Sequence, residues 1–121
     1  MAKSLDELLT LKGVIASGEF AENGRLIAFR SHGAPLPDDV ALLTAQFSAA
    51  ISQLLGVLAA AHSRLSGFNW IPQQGWAYSG GDLTIAVGGS RGVFVRTAEA
   101  DFNQLFEALI GSREPVGAEV R

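Results

Sequence analysis

The sequence predicts an α+β fold in which helices pack against an antiparallel sheet. Five short apolar segments are bounded by turn residues, and three other segments have helical features. Their order is helix, two strands, long helix, three strands and helix. Because short turns join the strands within each group, both groups are meanders, whose strands pair antiparallel. Helices set against such a sheet form a two- or three-layer sandwich.

Length and composition predict one domain and argue against several classes of protein. A chain of 121 residues fits a single domain, expected over residues 1–111 with a flexible tail at 112–121. The net charge of -3, with nine basic residues, argues against a nucleic-acid groove and a polybasic membrane patch. Because cysteine is absent, the chain has no disulfide and no thiolate metal site.

The chain shows no pattern typical of a membrane span or an export signal. Its longest apolar run, residues 51–61, is interrupted by Ser52, Gln53 and Gly56 and is too short to cross a bilayer. The N-terminal residues become acidic at Asp6 without an apolar signal region. We therefore expect a cytoplasmic protein with neither a nucleic-acid nor a membrane partner.

The first helix and the first hairpin have local signals. Ser4 followed by Glu7 is a capping box, and Gly13 is an end signal for a short helix. Strands are expected at 14–20 and 25–30. The Asn23-Gly24 pair between them can adopt positive φ at both turn centres, which predicts a tight hairpin.

A long helix is expected from residue 38 to residue 62. Asp38 and Asp39 oppose the positive end of its dipole, an interpretation favoured over a metal or catalytic pair. One apolar stripe with spacings of three and four is expected to face the core: Val40, Leu43, Phe47, Ile51 or Ala50, Leu54, Leu58 and Ala61. A second set lies on another side: Leu42, Ala45, Ala49, Leu55 and Ala59. Because two sides are apolar, the helix is expected to have two partners, its own sheet and a second copy of the chain.

Three strands and a last helix complete the pattern. The strands are expected around residues 76–78, 82–87 and 92–96, with glycine-containing turns between them. Thr97 is the expected N-cap of the last helix, whose apolar face repeats at helical spacing until Gly111.

No catalytic, cofactor or metal site is predicted. His32 and His62 lack an organised set of carboxylates, and a triad of Ser31, His32 and Asp38 lacks a sharp nucleophile turn. The glycine-rich run 88–92 precedes a strand instead of a helix, so it is a hairpin turn and not a phosphate loop. The scattered arginines are interpreted as solvated surface residues. We expect a protein that is not an enzyme.

Both tryptophans and the only tyrosine lie in residues 67–83. Trp76 and Tyr78 are two apart and share one face of a strand, whereas Pro72 restricts the segment before them to an edge or a strand start. A subunit interface is the favoured interpretation, because such aromatic residues are enriched at interfaces. Core packing and a small-molecule pocket remain the alternatives.

The element order, the hairpin GVIASGEFAENGRLIAFR, the long helix and the meander GWAYSGGDLTIAVGGSRGVFV resemble the roadblock / dynein light chain superfamily. The chain is more similar to a small prokaryotic roadblock-like family of uncharacterised proteins. The resemblance implies a five-stranded antiparallel sheet with the long helix on one face and both terminal helices on the other. The segment 68–74, with its proline and aromatic residues, has no counterpart in that pattern.

The resemblance also implies a function. Roadblock proteins are dimerisation and scaffolding modules without a complete active site, and many regulate small Ras-like GTPases. They dimerise through the central helix and the following edge strand. The residues expected at such an interface are Leu42, Ala45, Ala49, Leu55, Trp70, Trp76 and Tyr78. Alternatives are a small-molecule sensor of the related PAS or GAF type and an accessory protein of a heterodisulfide-reductase-like sulfur-oxidation complex.

Overall fold

The computed structural model describes residues 3–32 and 36–111 and has the predicted order of helices and strands. The predicted tail at 112–121 and residues 33–35, between β2 and the long helix, lie outside the described residues. The elements are α1 (Leu5–Leu8), β1 (Val14–Phe20), β2 (Leu26–Ser31), α2 (Asp38–Ser66), β3 (Gly75–Ser79), β4 (Leu83–Gly88), β5 (Arg91–Arg96) and α3 (Phe102–Ile110).

The five strands form one antiparallel sheet in the order β2-β1-β5-β4-β3. The two meanders are joined by the pairing of β1 with β5 at the centre of the sheet. The two edges are therefore β2 and β3, the strands that flank α2 in sequence. This topology leaves the outer side of β3 without a strand partner among the described residues.

The sheet is covered on both faces, as the resemblance implies. Along β4, Ala86 packs with α1 and α3, whereas Ile85 and Val87 point to the opposite face, toward α2. Successive strand residues alternate in this way because the side chains of a pleated strand have a period of two. The face beneath α1 and α3 contains the larger core, with Leu8, Leu105 and their neighbours, and the face beneath α2 contains a smaller one.

The predicted capping box at α1 is confirmed. Glu7 N–H donates to Ser4 Oγ at 3.2 Å, and Ser4 N–H donates to Glu7 Oε1 at 2.8 Å. The bond from the Ser4 backbone N–H to the carboxylate has the largest effect in lowering the pKa of the Glu7 carboxyl, and the Ser4 side chain lowers it further. The helix ends at Leu8, earlier than expected, and Gly13 with φ of +82° instead leads the chain into β1.

Two predicted local details are wrong. In the first hairpin only Gly24 has positive φ, and its N–H donates to Ala21 O, which indicates a type I turn followed by a glycine bulge. In the last helix the N-cap is Asp101, whose side chain accepts from Gln104 N–H. Thr97 begins a separate 3-10 turn, Thr97–Glu99, and its hydroxyl lies 3.0 Å from that of Thr84.

Candidate subunit interface

The helix α2 packs on the sheet through its small residues. Ala45 and Ala49 lie with Phe20 and Val87 in the core beneath the helix, and Ser48 is also buried. Small side chains allow the helix backbone to approach the sheet closely. The stripe that the sequence analysis assigned to the core points away from the sheet instead: Leu43 is 55% exposed, Phe47 58% and Leu54 68%.

The two apolar sides of α2 are therefore real, but their predicted roles are reversed. Ala45 and Ala49, expected at a subunit interface, are buried in the contact of α2 with its own sheet. Periodicity shows which residues share a side of a helix, but it does not show which side faces the core. Small residues at helical spacing are the signal that could have identified the sheet-facing side: Ala41, Ala45, Ser48, Ala49 and Ser52.

A groove separates α2 from the edge strand β3. It has a volume of about 360 Å³, and its lining is almost entirely apolar. The lining residues are Leu43, Thr44, Phe47, Ser48, Ile51, Trp76, Tyr78 and Ile85. Trp76 is held at its floor, because the indole Nε1–H donates to Ser52 Oγ at 2.9 Å. The groove is thus an apolar depression lined by α2, the edge strand β3 and Ile85 of β4.

The two edges of the sheet differ in how they are protected. The strand β2 has Arg30 within it, and the register of its pairing with β1 shifts near the turn. Charges and register irregularities discourage pairing with another chain. The strand β3 has the sequence GWAYS, which contains no charge and no proline, and it pairs with β4 without a register shift. The edge at β3 is therefore the one available for further pairing.

Apart from Ala45 and Ala49, which pack on the sheet, the predicted interface residues lie in three places. Trp76 and Tyr78 line the groove, with Tyr78 well exposed. Leu42 is exposed on a different side of α2, the side where Gln46 approaches Gly24 of the β1–β2 turn. Leu55 lines an open cleft between the end of α2 and the returning chain, as does Trp70. The groove also contains Leu43, Phe47 and Ile51, which the helical periodicity had assigned to the core.

Trp70 lies beyond the groove, at the end of α2. Its indole ring contacts the His62 imidazole with a centroid separation of 4.6 Å, and its Nε1–H donates to Ser66 Oγ at 3.0 Å. Its backbone N–H donates to Ser63 Oγ at 2.8 Å. These contacts fold the chain after Gly67 back against the helix and separate Trp70 from Trp76.

The residues considered as catalytic or metal-binding candidates do not lie together in the fold. Among residues 3–32 and 36–111, no three His, Asp or Glu side chains are close enough to bind one metal ion. His32 Nε2 lies 3.3 Å from Leu9 O, whereas His62 contacts Trp70. Arg91, interpreted from sequence as a solvated residue, instead donates to Lys3 O and, at 2.6 Å, to Leu109 O. This arginine joins the segment just before α1 to the end of α3.

By length and composition, α2 is also the one helix in the described part of the chain that could cross a membrane. The helix has 29 residues and a window with a mean hydropathy of 1.6, of which 22% is buried. The interrupted apolar run 51–61, considered from sequence alone, is too short for this. The α2 residues that touch the sheet include serine, and Gln53 Nε2 donates to Glu22 O at 2.8 Å. A membrane span would have to break these contacts.

Solved structures with the same architecture are roadblock proteins. The Roadblock/LC7 domain from Streptomyces avermitilis superposes with a TM-score of 0.64 at 14% identity, covering 87% of this chain and 84% of that chain. The gliding protein MglB from Thermus thermophilus gives a TM-score of 0.64 at 19% identity over 88% and 82% of the chains. MglB from Myxococcus xanthus gives 0.60 at 16% identity over 88% of both chains. These similarities show that the chain has the roadblock fold.

Comparison at the level of sequence identifies the family. No curated protein matches the chain significantly. A family model described as "Uncharacterized conserved protein (DUF2173)" matches residues 4–110, almost the whole chain. The protein belongs to this family, and its members are expected to share the roadblock fold described above.

Proposed function

We propose that the protein is a non-catalytic homodimeric adaptor or regulatory module. The observation that carries this proposal is the groove between α2 and β3, because it places an apolar helix side beside an unprotected sheet edge. A soluble monomer rarely leaves such a contiguous apolar surface exposed. An isologous pair covers it with the same surface of a second copy.

The proposed pair forms by edge-to-edge pairing of two β3 strands about a two-fold axis. Such pairing adds backbone hydrogen bonds between the chains and makes one continuous sheet. Each α2 then lies beside the groove of the other chain, where Phe47 and Ile51 supply apolar contacts. The roadblock resemblance implies the same mode of association, and MglB, one of the similar structures, occurs in a tetrameric arrangement.

A small Ras-like GTPase is the partner that we propose for this dimer, on the basis of the roadblock resemblance. Two α2 helices side by side would present one broad apolar face, since Leu54 and Val57 point away from the sheet. Isothermal titration with a Ras-like GTPase of the same organism, loaded with GDP or with a non-hydrolysable GTP analogue, tests this partner. Equal absence of heat in both nucleotide states would count against that GTPase. The sulfur-oxidation complex is an alternative without support from particular residues.

The small pocket beneath α2 argues against a small-molecule sensor with a ligand in its core. Small-molecule sites in proteins have volumes of roughly 300–1,000 Å³. The pocket between α2 and the sheet measures about 30 Å³, which is room for little more than one water molecule, whereas the groove beside β3, at about 360 Å³, reaches that range but lies outside the core. Native mass spectrometry of the purified protein checks this point, and a co-purified small ligand would favour the sensor.

Sedimentation equilibrium tests the homodimer directly. We expect the mass of two chains at micromolar concentration and a thermal midpoint that rises with protein concentration. Phe47→Asp places a charge in the groove and should give a folded monomer whose midpoint is independent of concentration. The matched control is Ile27→Asp, which places the same charge at an exposed apolar residue of the other sheet edge. A monomeric wild-type protein, or a Phe47→Asp variant that stays dimeric, would refute the proposed interface.

A further inference from the structure

The outer edge of β3 presents a defined set of backbone hydrogen-bonding groups. At the turn between β3 and β4, Gly80 N–H donates to Leu83 O at 2.8 Å. Because bonded and non-bonded pairs alternate along an antiparallel ladder, the register of these strands then bonds Trp76 and Tyr78 to β4. The three other residues of β3 have backbone N–H and C=O groups that point outward, away from β4: Gly75, Ala77 and Ser79.

These outward groups are accessible to another extended chain. Within the described part of the molecule, β3 has a strand on one side only. The side chains of the three residues lie on the face of α3, where a methyl group at Gly75 would meet Phe106, and all three are small. Ala77 and Ser79 are exposed. A second strand can therefore approach the backbone of β3 without displacing a side chain.

We propose that two copies of β3 pair antiparallel with the two-fold axis passing through Ala77. This register rests on the homodimer proposed above and specifies which residues meet in it. Ala77 pairs with the partner's Ala77, and Gly75 pairs with the partner's Ser79. Each outward N–H of one strand then faces an outward C=O of the other strand.

Other positions of the axis satisfy fewer backbone groups. An axis between two residues sets outward groups opposite groups that already bond to β4. An axis through Trp76 or Tyr78 moves one end of each strand past the end of the other strand. Ala77 is the middle residue of Gly75–Ser79, so an axis at Ala77 pairs the whole strand.

The same register brings aromatic side chains of the two copies together on the α2 face of the sheet. Trp76 and Tyr78 both line the groove. With the axis at Ala77, Trp76 lies directly across from the partner's Tyr78, in a non-hydrogen-bonded pair, whose side chains are the closer ones. Tyr78 is 64% exposed in the single chain, and this contact covers it. The groove of each copy is thus completed by a tyrosine of the other.

Disulfide trapping tests the register, because the chain contains no cysteine of its own. Ala77→Cys adds one thiol to each chain, and the register places the two Cα atoms about 5.5 Å apart, within the range that a disulfide spans. Ser79→Cys is the matched control, since its two Cα atoms would lie about 14 Å apart. With copper phenanthroline as oxidant, Ala77→Cys should form the cross-linked dimer about tenfold faster than Ser79→Cys.

A proline substitution tests the backbone contact. Ala77→Pro removes an N–H that points away from β4, so the ladder within the chain keeps its bonds while the central bond between the copies is lost. Sedimentation equilibrium should give a dimer dissociation constant raised about tenfold or more. Ala77→Val keeps the N–H and should dimerise as the wild-type protein does. Circular dichroism checks that each variant is folded.

The outcomes separate the register from the homodimer. If the wild-type protein is a dimer but Ser79→Cys cross-links as fast as Ala77→Cys, or neither variant cross-links, the register is wrong and the homodimer stands. A folded Ala77→Pro variant that dimerises like Ala77→Val also overturns the register, since contacts of α2 alone would then hold the pair. A monomeric wild-type protein refutes the homodimer and the register together.

Discussion

One glycine, Gly75, determines how closely β3 approaches β4 and α3. A methyl group at Gly75 would lie 2.7 Å from Val87 O and 2.8 Å from Phe106 Cε1. The glycine lies at the start of β3, so the contact determines how α3 packs on the edge strand. Gly75 also lies directly before Trp76, which lines the groove.

Gly75→Ala should lower the free energy of unfolding by about 1–3 kcal/mol, because the backbone carbonyl cannot move aside as a flexible side chain can. Gly81→Ala is the matched control, since a methyl group there would meet no atom within 4 Å. Urea unfolding of both variants measures the difference. Equal stability of the two variants would show that β3 and α3 adjust freely.

The capping box gives α1 a dependence on pH. The pKa of Glu7 in the folded protein lies below its usual 4.5, chiefly because the Ser4 backbone N–H donates to the carboxylate. A lowered pKa stabilises the fold above the pKa of the unfolded chain. This contribution is lost as the pH falls through the lower value in the folded state.

Glu7→Gln should therefore reduce the acid-induced loss of stability below about pH 4.5 and leave the slope near neutral pH unchanged. Unfolding by urea at a series of pH values measures this. Glu22→Gln, at an exposed carboxylate outside α1, is the control. Identical acid profiles for Glu7→Gln and the wild-type protein would contradict the assigned role of the carboxylate.

At the scale of the element, α2 shows how one helix can have two apolar sides with different roles. The side with small residues packs on the sheet, and the side with large residues forms the groove and the outer surface. Larger side chains on the sheet-facing side would force the helix away from β1 and β2. Alanine on that side is therefore required by packing, whereas alanine on the outer side is not.

The adjacent residues Ala49 and Ala50 test this division. Ala49→Leu should lower the free energy of unfolding by about 1–3 kcal/mol, because Ala49 is 4% exposed and packs in the core beneath α2. Ala50→Leu adds the same atoms on the exposed side and should change stability by less than about 0.5 kcal/mol. If the two variants lose equal stability, the orientation of α2 described here is wrong.

At the scale of the whole molecule, the arrangement of the strands explains why the proposed interface is placed at β3. Both strands that flank α2 in sequence lie at the edges of the sheet, and one of them carries Arg30 and a register shift while the other is uncharged and regular. The helix lies nearer to β1 and β2 and leaves the β3 side uncovered. The groove is thus a property of the assembled sheet and helix, and neither element contains it alone.

The sequence by itself determined the element order, the α1 capping box, the meanders and the positions of Trp76 and Tyr78 on one strand face. These features depend on local spacing and turn chemistry, which the chain encodes within a few residues. Only the tertiary structure decided that Ala49 faces the sheet and Phe47 the groove, and that Arg91 joins the segment before α1 to α3. Those features depend on which side of a helix meets which strand, and the free energy that decides this comes from packing between residues far apart in the chain.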